Sequence, residues 1–106
     1  MRQINGVVYI LKFHEALGNP DKPKGRAQFY VGWCELGGLK RRLRQHRKGQ
    51  GAAITRAFAL RGIGFELVVS FAGTRSDERR VKRYGNTRLF VQRKVWERQK
   101  HQAIPF

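Results

Sequence analysis

Two runs of β-branched and aromatic residues, Val7 to Phe13 and Gln28 to Cys34, constrain the fold more than anything else in the chain. Such residues suit a pleated, half-buried surface, so each run predicts a strand. Between them, His14 to Ala27 carries Gly18-Asn19-Pro20 and Lys22-Pro23-Lys24-Gly25, turn formers that oppose both helix and ladder. The natural reading is an antiparallel pair closed by a long, basic loop. Alternation along the second strand puts Tyr30 and Gly32 on one face and Phe29, Val31 and Trp33 on the other, and it groups Tyr9 with Val7, Leu11 and Phe13. A missing side chain at Gly32, next to a phenol, suits close approach of a substrate or another backbone, and equally a twist or bulge.

Downstream, Glu35 to Gly38 reads as a turn, and Leu36, Leu39 and Leu43 recur at helical spacing up to Lys48, where Gly49 stops the helix. At about 100° per residue, Leu39 and Leu43 make the buried stripe, Arg42 and His46 share one flank, and Lys40, Arg44 and Arg47 take the other. A turn at Gly49 to Ala53 leads into a short helix over Ile54 to Leu60, and Phe65 to Phe71 alternates as a third strand. A charged helix is expected from Ser76, its N-cap, to about Tyr84, and a helical tail from Leu89 through Lys100. The order β-β-α-α-β-α-α predicts an α+β fold: a small three-stranded, mainly antiparallel sheet flanked by helices. With 106 residues there is room for one domain, its core at about 7–86 and a helical tail at 87–106.

Charge bears on the partner. The chain has 23 Lys and Arg against 7 Asp and Glu, a formal +16 at pH 7, and self-repulsion on that scale is relieved by a polyanion, most often nucleic acid. No run approaches the roughly 18 apolar residues of a spanning helix, so no membrane partner is expected. The start, Met1-Arg2-Gln3-Ile4-Asn5, does not read as a signal peptide, and Cys34 is the single cysteine, so a cytoplasmic location is expected. His14, His46 and His101 lack ligand spacing, and no structural zinc is expected.

A basic chain able to act on nucleic acid needs an activated water, charge compensation at the phosphoryl oxygens and help for the leaving alkoxide. Its acidic residues, Glu15, Asp21, Glu35, Glu66, Asp77, Glu78 and Glu97, are scattered, which argues against a two-metal carboxylate cage and for one metal with a noncarboxylate base. A phenol, with an ordinary pKa of about 10, is only about 0.1% ionised at pH 7, so a tyrosine base needs positive charge nearby. Arg42, His46 and a bound divalent cation would supply it.

From Val7 to Glu78 the chain resembles the GIY-YIG nuclease family, through the ordered combination of Tyr9, Tyr30-Val31-Gly32, Arg42-x-x-x-His46, Gly49-x-Gly51-Ala52-x-x-Thr55-Arg56 and Ser76-x-Glu78. The resemblance implies a metal-dependent endonuclease hydrolysing DNA phosphodiester bonds. It sets Tyr9 and Tyr30 side by side on adjacent strands, one activating the water, with Arg42 on the phosphate. It gives Glu78 one divalent ion, Mg2+ or Mn2+, and His46 proton transfer or the orienting of a tyrosine. Gly32 and Gly51 then have structural roles at the site. The first motif departs from the family pattern: Val7 stands where a glycine often precedes the tyrosine, with Gly6 one place earlier. The loop between the strands is long, extra residues stand at Glu35 to Gly38, and Asn86 is the candidate for a late asparagine.

Each of these residues also has a plain structural reading. Tyr9 would be a core tyrosine, Arg42 a generic phosphate contact, His46 a cap on the carbonyl end of its helix, and Glu78 an i,i+4 partner of Lys82. Lys40, Arg44, Arg47, Lys48, Arg56, Arg79 and Lys82 are expected to meet DNA backbone, linear or branched, without reading bases. Trp33 and Trp96 are expected to pack. A domain of this size carries no separate specificity module, so weak sequence preference or a partner protein that supplies specificity is expected. A noncatalytic basic nucleic-acid-binding module on the same scaffold is the alternative, and a ribosome-associated protein the third reading.

Overall fold

The first predicted strand becomes the centre of the sheet. The computed structural model describes residues 4–17, 27–83, 87 and 90–94. It has the predicted α+β architecture: strands β1 (Gly6–Leu17), β2 (Ala27–Glu35) and β3 (Phe65–Gly73), and helices α1 (Leu39–Arg47), α2 (Ala53–Leu60) and α3 (Arg75–Arg83), with residues 90–94 also helical. The strands run in the order β2-β1-β3, and both pairings are antiparallel. Asn86, Trp96, most of the proposed tail and the Gly18-Asn19-Pro20 and Lys22 to Gly25 turn segments lie outside the described residues.

β1 runs past its expected end at Phe13. The residues from His14 to Leu17 include no glycine or proline, and the His14 N–H donates to the Gly64 carbonyl at 2.9 Å, so ladder bonding carries the strand on. β3 likewise extends to Gly73, opposite Gly6. Its pairing with β1 slips between Ile10 and Leu11, where Ile10 faces Val69 and Leu11 faces Leu67. Val68 is the extra residue of this bulge, and both Val68 and Val69 pack with the Val8 and Ile10 side of the sheet.

Helices cover both faces. On one, Val8, Ile10, Val31 and Val69 meet Val81 of α3 and Val91, with Phe29, Trp33, Phe71 and Phe90 at the margin. On the other, Tyr9 and Leu11 meet Leu39 and Leu43 of α1, and Phe13 stacks on Phe58 of α2 with centroids 3.5 Å apart. Val8, Ile10, Leu11 and Phe13 are all fully buried, each stabilising the fold by about 1.5–3 kcal/mol. β1 thus anchors two cores at once, and its odd and even residues belong to different ones.

Helix ends follow the local chemistry. α1 stops where Gly49 takes φ +72°, its N–H donating to His46 O at 3.1 Å and that of Gln50 to Gln45 O at 2.9 Å; α2 ends the same way at Gly62. The expected N-cap at Ser76 is corrected to Thr74. The Asp77 N–H donates to Thr74 Oγ1 at 3.2 Å, while the Thr74 N–H donates to Asp77 Oδ2 at 2.7 Å, a reciprocal box that starts the helix at Arg75. Leu36, expected to begin the α1 stripe, lies in the preceding turn and is exposed.

Candidate active site

The ladder sets the geometry. Tyr9 stands directly across from Gly32, and Tyr30 across from Leu11, so the two tyrosines are diagonal neighbours on one face, with ring centroids 6.2 Å apart. A Cβ built on Gly32 would lie 2.5 Å from both Cζ and the hydroxyl oxygen of Tyr9, and 2.8 Å from Tyr30. The open readings of Gly32 therefore resolve: it is the gap through which the Tyr9 phenol crosses β2. Gly51 plays the matching part for His46, since a side chain there would run into Nδ1 and Cε1 of the imidazole.

His46 is 1% exposed and reaches in from α1, so it belongs to the buried side of that helix together with Leu39 and Leu43. It does not cap the helix carbonyls. Its Nε2 lies 2.7 Å from the Tyr9 hydroxyl and its Nδ1 3.0 Å from Thr55 Oγ1, and the Thr55 hydroxyl in turn donates to Ala52 O at 2.8 Å. Tyr30 meets the imidazole edge-on, with centroids 5.2 Å apart. Tyr9, at 1% exposure, is sealed in, while Tyr30 is only half-buried. Of the two phenols, Tyr30 is the one within reach of an incoming molecule.

Burial and the charge of Arg42 push the His46 imidazole down to about 4, so it is neutral at pH 7. Burial, and next the neighbouring Tyr30 phenol, push Tyr9 well above the ordinary phenol value, although Arg42 pulls the other way. Tyr9 therefore stays protonated, and the expected activation of this phenol by positive charge is outweighed by desolvation. Burial also raises the Cys34 thiol against the pull of Arg42, which keeps it an un-ionised, buried group.

Beside this cluster a cavity of about 270 Å³ is lined by Cys34, Glu35, Gly38, Arg41, Arg42 and Gln45. Arg41 and Arg42 line it from the first turn of α1, so two guanidinium groups stand at one opening beside Glu35. Lys40, Arg44 and Arg47 lie exposed on α1, Lys48 just past its end, Arg56 on α2, and Arg79 and Lys82 on α3. Arg47 also rests over the Phe65 ring at 5.1 Å. Trp33 packs: its indole covers Gly6, donates to Gly73 O at 3.0 Å and lies under Arg75.

Tyr9, Tyr30, Arg42 and His46 are thus brought together with Gly32 and Gly51. Glu78 sits on α3, whose Val81 packs on the opposite face of the sheet, and its carboxylate pairs with Lys82 at 3.3 Å. Among the described residues no group of three or more His, Cys, Asp or Glu is arranged to hold a metal ion, and no helix is long and apolar enough to cross a membrane. Two residues were not singled out from the sequence. Thr55 was visible only as part of a motif, and Arg41 was hidden among equivalent basic neighbours. Comparison with protein-family models, with curated proteins and with solved structures finds no match.

Proposed function

We propose that this chain is a small GIY-YIG-type endonuclease that hydrolyses DNA phosphodiester bonds with the help of one divalent metal ion. The observation that carries the reading is a half-buried phenol, Tyr30, packed against a sealed Tyr9–His46 hydrogen-bonded pair, with Arg42, whose charge acts on that pair, lining a neighbouring cavity. A purely structural tyrosine pair has no need of a neutral buried histidine behind it.

In this scheme the scissile phosphate enters beside Arg41 and Arg42, which compensate its charge. Tyr30 faces the attacking water and takes its proton as its own hydrogen moves inward toward Tyr9, whose hydroxyl hydrogen is already directed at His46 Nε2. Because Arg42 is one of the two causes that hold His46 neutral, a phosphate on Arg42 screens that charge and makes the imidazole a better acceptor when substrate is bound.

Glu78 is the carboxylate that would hold Mg2+ or Mn2+ in this reading, together with waters and substrate phosphate oxygens, although its helix packs on the face of the sheet opposite the tyrosine cluster and Lys82 pairs with it at 3.3 Å. When bound, the ion would neutralise charge on the phosphoryl group and assist the leaving oxygen. Lys82 must first release Glu78. The exposed cations on α1, α2 and α3 are proposed to grip the DNA backbone.

Incubation with supercoiled plasmid and Mg2+, with and without chelator, tests the reading against Tyr30→Phe and Glu78→Ala. Nicking that chelator and both substitutions abolish is the expected result; intact plasmid throughout removes the hypothesis. One observation favours a second reading, a noncatalytic nucleic-acid-binding module: Glu78 is engaged with Lys82, as an ordinary helix-surface pair would be. That reading expects salt-sensitive DNA binding with no cleavage under any divalent ion.

A further inference from the structure

Threonine in the first turn of a helix often returns its hydroxyl hydrogen to a carbonyl three or four residues back, and on that ground Thr55 would be a local feature of α2. Two observations go beyond it. Thr55 and His46 are each 1% exposed, so their polar atoms call for partners inside the fold, and Thr55 Oγ1 lies 3.0 Å from His46 Nδ1.

The hydrogens in this chain can be assigned by elimination. Ala52 O can only accept, so the 2.8 Å contact requires the Thr55 hydrogen to lie on it. Thr55 Oγ1 has then no hydrogen left for His46, and the 3.0 Å contact requires the proton on Nδ1. A neutral imidazole protonated at Nδ1 is bare at Nε2, so the 2.7 Å contact is a hydrogen bond donated by the Tyr9 hydroxyl. Tyr9, His46 and Thr55 thus each donate in the same direction, and the Ala52 carbonyl accepts at the end. The backbone carbonyl at the end sets the sense for all of them. Gly51 supports the arrangement from the side, because any β-carbon there would displace the ring from Thr55.

We propose that Thr55 is a positioning residue: it fixes the tautomer of His46, so that Nε2 faces Tyr9 as a proton acceptor. Chemically this matters because the opposite tautomer would put a hydrogen on Nε2, donate it to the Tyr9 oxygen, and block proton movement inward from Tyr30. The catalytic consequence rests on the nuclease reading; the assignment of the tautomer does not. The groups facing His46 are Tyr9 from β1, Tyr30 from β2, Arg42 from its own helix and Thr55 from α2, with His14 and Arg47 bordering the cavity of about 160 Å³ behind it.

Nitrogen-15 NMR of the imidazole at pH 7 tests this on the whole protein, with the wild type, Thr55→Val and Thr55→Ser compared. The expected result is an Nδ1–H tautomer in the wild type and in Thr55→Ser, and a shift to mostly Nε2–H in Thr55→Val, where a methyl replaces the acceptor. An Nε2–H tautomer in the wild type overturns the proposal with no variant needed, and so does an unchanged Nδ1–H population in Thr55→Val. In plasmid cleavage, Thr55→Val should lose about 100-fold in kcat with KM unchanged, the lower end for a proton-transfer contribution, and Thr55→Ser should recover it. If no protein cuts DNA but the tautomers behave as expected, the nuclease reading fails and the role of Thr55 stands.

Discussion

Tyr9 and Gly32 are cross-strand partners, and the phenol of one fills the space left by the missing side chain of the other. Gly32→Ala would put a methyl 2.5 Å from the ring, and relief requires rotation of Tyr9 out of its bond with His46. The substitution is expected to destabilise the fold by about 1–3 kcal/mol, measured by urea unfolding. In Tyr9→Phe, which lacks the hydroxyl oxygen, the same change should cost less, giving a nonadditive double-mutant cycle. Additive costs would show that the two residues do not compete for that space.

The order of the two phenols predicts different losses. Tyr30→Phe removes the proposed water-activating group and should lower plasmid nicking by about 10²–10⁴-fold, whereas Arg42→Gln should cost about 10²–10³-fold through loss of the proposed charge compensation. Equal activity of Tyr30→Phe and the wild type would move the base to another residue.

Stability should depend on pH through His46. Its folded-state value of about 4 lies below the ordinary 6.5, so between these values the unfolded chain binds a proton that the native protein refuses. The contribution is fully present above about pH 6.5, is lost as pH falls toward 4, and reaches about 3 kcal/mol if the whole shift is realised. Tyr9 acts at the other extreme: with its folded value raised, stability should decline as pH rises above about 10. Unfolding free energies measured from pH 4 to 7 should lose this slope in His46→Gln, and a slope that survives would assign it to other groups.

Glu78→Gln separates metal binding from folding. Its pair with Lys82 is an i,i+4 surface contact, so the change should move stability by only about 0.3–0.5 kcal/mol. Nicking and its dependence on Mg2+ should both disappear, as they should on chelation of the wild type. Retained cleavage in Glu78→Gln would place the ion elsewhere.

DNA affinity should be governed by phosphate contacts. If about six phosphates are neutralised, log affinity falls with log salt at a slope of about −5, and Arg44→Ala should lower its magnitude by about 0.9. A salt-insensitive affinity would contradict the proposed role of the exposed cations.

How legible these features were depends on the range of the interactions that make them. The period-two pattern of Val7 to Phe13 and Gln28 to Cys34, the turn glycines at 49 and 62, and the helical spacing of Leu39 and Leu43 all act over a few residues, and they sufficed to read an α+β fold with strands and helices in the right order. Strand ends and one cap were misjudged where bonding from elsewhere or an overlooked local pair intervened, as at His14 with Gly64 and at Thr74 with Asp77. Motif order alone groups Tyr9, Tyr30, Arg42, His46 and Glu78, and the fold brings the first four together while Glu78 stands on α3, paired with Lys82. Tertiary structure decided what each of them can do. Only the closure of α1 and α2 over the sheet seals Tyr9 while leaving Tyr30 half open, holds His46 neutral by desolvation, and brings Thr55 to its Nδ1. Burial, tautomer and the direction of a hydrogen bond are properties of a filled volume, and residues thirty-seven positions apart along the chain acquire them only once they share one.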